Sequence, residues 1–257
     1  MSMSNFTDLD RIKGRMMWAK DLLDARDFIF PHLPPTTNAT VDLRPHDSPI
    51  VDQGDLGSCT ANAIAAAFEF DLRKQGLSIF APSRLFIYYN ERVLEGDVMY
   101  DNGAYIRDGI KSIGTIGVCS ETLWPYVENK FATLPPRNCY TAALSNKGIL
   151  YQRVTQTLDQ MKAVLNSGFP FTIGFTVYQS FLNAGSNGGF VPMPNPREPI
   201  LGGHAVVVVG YKDSTQMFIV RNSWGTSWGA AGYFYVPYAY FTNTTLASDL
   251  WVIQSVS

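Results

Sequence analysis

An α+β chain with two unlike halves is what the sequence predicts, on three observations. Apolar residues recur at helical spacing through the first half. Short β-branched or aromatic runs, separated by Gly, Asn and Ser, fill the second. The 257 residues are 46% hydrophobic and 16% charged, enough to bury a sizeable core. Twenty Lys and Arg against 22 Asp and Glu leave a net charge of -2, without the basic footprint of a nucleic-acid binder. Apolar runs such as 205–210 fall far short of the ~20 residues a membrane-spanning helix needs.

In chain order, residues 6–30 read as one amphipathic helix. Asp8, Asp10, Arg11, Lys13 and Arg15 make its charged face, and Leu9, Ile12, Met16, Met17 and Leu23 a loose apolar stripe. Residues 31–40, PHLPPTTNAT, cannot continue a helix and read as an extended linker. A helix is predicted from Ser58, because Ala61, Ile64, Ala65, Phe68 and Leu72 share one face and Gly76 can stop it. Further helices are predicted over 82–94, 105–112 and 158–166, and strands over 171–177, 204–211, 217–221, 232–236 and 250–256. The division expected is an N-terminal helix and linker, 1–40, followed by one domain, 41–257.

The N-terminal residues hold no apolar run behind a basic one, so the chain is expected to be cytoplasmic or exported by a non-classical route. Three cysteines, Cys59, Cys119 and Cys139, do not make a disulfide scaffold. Cys119 and Cys139 read as structural, either bridged across the intervening turn or as two free thiols.

Cys59 opens the predicted helix, where the dipole favours a thiolate. His204 stands at the head of a predicted buried strand. Asn222 follows another strand, inside RNSWGTSWG, and its amide oxygen can fix an imidazole ring. Gln53, six residues before Cys59, can donate from its side-chain amide and, with the Cys59 backbone N–H, hold an oxyanion. Of these four residues, Cys59 and Gln53 taken singly read as a core and a loop residue, since a lone Cys on an Ala-rich helix is usually core, His204 reads equally as a core imidazole, and the paired tryptophans beside Asn222 favour function. Together they form a nucleophile, a base, an orienting group and an oxyanion donor.

These segments resemble the papain-like (C1) cysteine peptidase family. The block 53–59, QGDLGSC, carries the family's cysteine signature. GHA at 203–205 with VVGY at 208–211 is similar to its His strand, and NSWG with WG at 228–229 to its Asn–Trp block. NGAY at 102–105 resembles the segment that pairs with extended substrate, and WPY at 124–126 the turn after it. The resemblance runs from about Val41 onward and is nearest the compact bacterial or viral branch. It implies a papain-like two-lobed fold, with a helical lobe, a β-rich, barrel-like lobe and the active site between them. It implies an endopeptidase in which Cys59 attacks, His204 transfers protons, Asn222 orients His204 and Gln53 holds the oxyanion. Asn102, Gly103, Ala104, Gly203 and Trp224 are the implied substrate contacts. No metal or organic cofactor is implied.

The chain departs from the family pattern at Thr60, where an aromatic usually follows the nucleophile. It departs also at Leu56, where a cysteine is usual, and at Ala104, where Gly is common. The expected partners are a peptide or protein substrate and, as inhibitor, the chain's own N-terminal segment, which would make it a zymogen. No nucleic acid, membrane or oligomeric partner is expected. The Cys59–His204 pair is expected to rest as thiolate and imidazolium.

Overall fold

The computed structural model describes residues 12–22 and 24–257. The helical lobe is organised around α1 (Cys59–Lys74), with α2 (Arg84–Glu95) and α3 (Ile106–Thr115) packed on it. The predicted periodicity holds because Ile64, Phe68 and Leu72 are all buried on α1. Two caps mark the ends of α2. Ser83 Oγ accepts from the Phe86 N–H at its start. Gly96 turns left-handed at its end, with φ of 74°.

The second lobe is one antiparallel sheet of β2 (Thr40–Asp42), β4 (Gly148–Arg153), β5 (Phe171–Tyr178), β6 (Ile200–Lys212), β7 (Met217–Arg221), β8 (Tyr233–Pro237) and β9 (Ala247–Val256). Its spatial order is β4-β9-β5-β6-β7-β8, with β2 on β6. Helix α1 lies against β6 and β9, so a single core joins the lobes. Two smaller helices, α4 (Arg137–Ala143) and α5 (Leu158–Asn166), complete the chain order as far as β5.

The helix predicted over 6–30 is corrected. Residues 1–11 and Leu23 lie outside the described residues. Residues 12–14 are helical, but from Met17 the chain is extended. Strand β1 (Trp18–Ala19) pairs in parallel with β3 (Ala104–Tyr105), and Met17 bridges Gly203 on β6. The physical reason is that two backbone edges await a strand there. Gly103 and Gly203 have no side chains to keep one away: a Cβ on Gly103 would lie 1.7 Å from the Met17 carbonyl oxygen. Paired backbone in that slot outweighs a marginal isolated helix. The linker is extended and largely exposed as predicted, although Leu33 exchanges both backbone bonds with the Gln160 amide.

All three cysteines are free and buried. Cys119 and Cys139 form a reduced pair, and burial with Cys139 beside it pushes the Cys119 thiol up to about 12. Among the described residues, no helix is long and apolar enough to cross a membrane.

Candidate active site

The sequence places Cys59 at the first turn of α1, where N–H groups lack helical partners. The backbone N–H groups of Ala205, Met17 and Thr60 lie close enough to its sulfur to draw the thiol down against the larger effect of burial. One of these donors follows His204, so β6 brings imidazole and thiol to the same spot. His204 is fully buried, with its ring 4.9 Å from the Trp224 ring. Its Nε2 bonds Asn222 Oδ1 at 2.8 Å. That bond assigns the Nε2 proton and leaves Nδ1, which has no hydrogen-bond partner among the described residues, as the free base.

Gln53 ties the two lobes together. Its Oε1 accepts from Ser223 Oγ at 2.6 Å and from Trp224 Nε1 at 3.2 Å. Its Nε2 is thereby turned outward, where it donates to the carbonyls of Leu56, at 2.9 Å, and Arg15, at 3.0 Å. The Arg15 carbonyl belongs to the N-terminal segment. A peptide carbonyl thus rests on the group expected to hold an oxyanion.

The segment continues across the site. The Met16 carbonyl accepts from the Gly203 N–H at 3.2 Å. The Trp18 indole lies on the bare backbones of Gly174 and Gly203, where an added Cβ would meet it at 2.0 Å and 2.7 Å. Two cavities, of about 550 and 520 Å³, lie away from these residues.

This filling works against the expected charge state. Burial pushes the Cys59 thiol up to about 11, and it pushes the His204 imidazole down to about 4. Both shifts run against the thiolate and imidazolium expected, because burial removes the solvation that separated charges need.

Of the expected substrate contacts, Gly103, Ala104 and Gly203 do meet an extended chain. Asn102 does not: it is exposed and donates to Asp97. Trp224 is buried, with its ring against His204 and its indole N–H donating to the Gln53 amide oxygen. The sequence reading missed Ser223, although it stands inside the Asn–Trp block. It also missed Glu91, whose Oε1 accepts from Thr60 Oγ1 at 2.6 Å. Burial holds the Glu91 carboxyl well above the usual range. Thr60 therefore serves a buried acid where an aromatic was expected.

The model of the papain family of cysteine proteases matches residues 37–250. An uncharacterized peptidase C1-like protein of Acanthamoeba polyphaga mimivirus is 46% identical over 217 residues, covering 80% of this chain and 70% of that one. Falcipain-3 of Plasmodium falciparum is 27% identical over 201 residues, 72% of this chain but 38% of its own length. Xylellain, a cysteine protease from Xylella fastidiosa, superposes with a TM-score of 0.89 at 43% identity, covering 95% of this chain and 97% of that one. Procathepsin L 3 of Tenebrio molitor shares the fold, with a TM-score of 0.72 at 20% identity over 95% of this chain and 78% of that one.

Proposed function

Since the chain belongs to the papain family of cysteine proteases and is a cysteine peptidase, we propose that it is an endopeptidase held latent by its own N-terminal segment. The carrying observation is the Arg15 carbonyl on Gln53 Nε2, with the Met17 N–H close to the Cys59 sulfur. The segment occupies both the place of a substrate carbonyl and the approach to the nucleophile.

Once the segment leaves, water reaches the cleft and the Cys59 proton can pass to His204 Nδ1. The thiolate attacks the carbonyl carbon, and its oxygen takes the negative charge toward Gln53 Nε2 and the Cys59 N–H. His204 returns the proton to the departing amine and leaves a thioester. It then takes a proton from water, whose oxygen attacks the thioester and restores the thiol. Asn222 keeps Nδ1 directed at the reaction throughout, through its bond to Nε2. Gly103, Ala104 and Gly203 offer the backbone edges on which an extended peptide lies.

The test compares the full chain with the same chain cut within the exposed stretch 34–38. Cutting and removing the segment should raise kcat/KM on a fluorogenic peptide by at least tenfold and allow stoichiometric labelling by an epoxide inhibitor. Cys59→Ala should do neither. Full labelling and equal turnover without cutting would end the latency reading, and turnover by Cys59→Ala would end the assignment of the nucleophile.

A further inference from the structure

Beyond the indole of Trp18, the segment places a second side chain in the body of the protein. Asp21 is 6% exposed. One carboxylate oxygen accepts from the Arg107 backbone N–H at 3.2 Å, in the first turn of α3. The other accepts from Trp251 Nε1 at 3.0 Å and lies 3.4 Å from Arg153 Nη1. Asp27 of the same segment takes the Arg107 guanidinium, with its closest contact at 2.7 Å, and Arg153 Nη1 at 3.3 Å. Arg153 Nη2 also pairs with Asp249 at 3.2 Å, and Asp249 accepts the Asp21 backbone N–H at 2.7 Å.

The donors that hold Asp21 and Asp27 come from the domain, and the segment gives back one backbone N–H, that of Asp21, to Asp249. When the segment withdraws, Arg107 loses Asp27, and Arg153 loses Asp21 and Asp27 while keeping Asp249. Trp251, 1% exposed, loses the acceptor of its indole N–H. What stays behind is a buried indole donor, a helix N-terminus and two guanidinium groups against one aspartate. Such a set takes a carboxyl group, because buried donors without an acceptor cost free energy and charge-assisted bonds recover it, while burial and the retained Asp249 raise that carboxyl, as they raise Asp21 to about 6. The site is continuous with the cleft: Arg107 lies two residues beyond Tyr105, the last residue of the edge that pairs with the extended chain.

We propose that Arg107, Arg153 and Trp251 form a subsite of the released enzyme that selects an acidic side chain of the substrate. The residue it selects lies about three positions from the one whose bulky side chain rests on Gly174 and Gly203. This names a substrate class for the cleft proposed above and rests on that reading only in calling the occupant a substrate.

The experiment separates the two. Labelled peptides carrying an aromatic residue and, three positions from it on either side, Asp, Asn or Lys are bound to the Cys59→Ala chain. That chain is first cut within 34–38 and freed of its segment. Binding is read by fluorescence anisotropy, and turnover of the same peptides by the cut parent enzyme is read beside it. Asp should bind about tenfold more tightly than Asn, as expected for a charge-assisted bond on a partly wet site, and Lys more weakly still. Arg107→Gln and Arg153→Gln should each erase most of the difference between Asp and Asn. Arg153→Lys should restore part of it. Equal binding of Asp and Asn to the parent overturns the subsite, as does an undiminished Asp preference in whichever glutamine variant folds. An Asp preference in binding, with no turnover by the parent, would leave the subsite standing and remove the peptidase reading instead.

Discussion

At the scale of single residues, the active pair is governed by solvation more than by its position on α1. The helix terminus and three N–H donors favour a thiolate, yet full burial raises the thiol to about 11. His204 is moved the other way, to about 4, even though its bond to Asn222 favours the charged ring. Both shifts have burial as their largest cause, and withdrawing the segment relieves it. Iodoacetamide should therefore alkylate Cys59 in the full chain only slowly at pH 7, with the rate still climbing toward pH 11. After cutting, the same rate should reach its plateau at least two pH units lower. An identical profile before and after cutting would show that the segment does not control the pair. Mass spectrometry of the labelled peptide distinguishes Cys59 from Cys119 and Cys139.

Among the elements, β1 is the most consequential, though it has only two residues. It pairs with β3 on one side, while Met16 and Met17 engage Gly203 of β6 on the other, so it closes the cleft as a strand does. Its holding contacts are the backbone bonds and the Trp18 indole on Gly174 and Gly203. Trp18→Gly removes the indole and leaves the backbone pairing to a more mobile chain. It should raise the peptidase activity of the uncut chain severalfold and speed proteolysis near residues 16–22, with little change in thermal stability of the body. Gly203→Ala should speed the same proteolysis, since its Cβ would lie 2.4 Å from the Trp18 carbonyl oxygen, but it should not raise activity, because the same Cβ crowds the edge on which substrate lies. Unchanged activity of Trp18→Gly together with unchanged proteolysis of both variants would place the hold in the ion pairs of Asp21 and Asp27 instead.

On the scale of the whole molecule, the single core that joins the lobes includes one carboxyl it does not satisfy. Asp71 on α1 is 1% exposed, and neither oxygen has a hydrogen-bond partner among the described residues. Burial raises it from the ordinary 3.8 to about 8, against the smaller pull of Lys74. A folded value above the unfolded one means that this group's contribution to stability is whole below pH ~4. It is lost as pH rises toward 8. Asp71→Asn should be neutral at pH 4 and stabilising at pH 8. Its advantage should grow steadily with pH between the two. Thermal unfolding at several pH values reads this directly, and a pH-independent difference would refute it.

What the sequence by itself determined is the division into a helical and a β-rich half, the helices around Cys59 and over 158–166 and the strand 217–221; it also named the candidate set Cys59, His204, Asn222 and Gln53, within which the structure joins His204 to Asn222 and Gln53 to the Asn–Trp block. These were legible because helical periodicity, strand composition and the local blocks around Cys and Asn are properties of neighbouring residues. Four things were decided only by tertiary structure. Residues 17–19 are strand-paired and not helical, because their partners, β3 and Gly203, lie about 85 and 185 residues further along the chain. Trp224 backs the imidazole because Gln53 gives its indole an acceptor from the other lobe. Asp21 and Asp27 look like ordinary surface charges in sequence and become buried ions only where α3 and β4 meet the segment. The shifts of Cys59 and His204 oppose separated charges because both side chains are buried, and part of that burial comes from a segment that the local sequence around Cys59 and His204 does not contain.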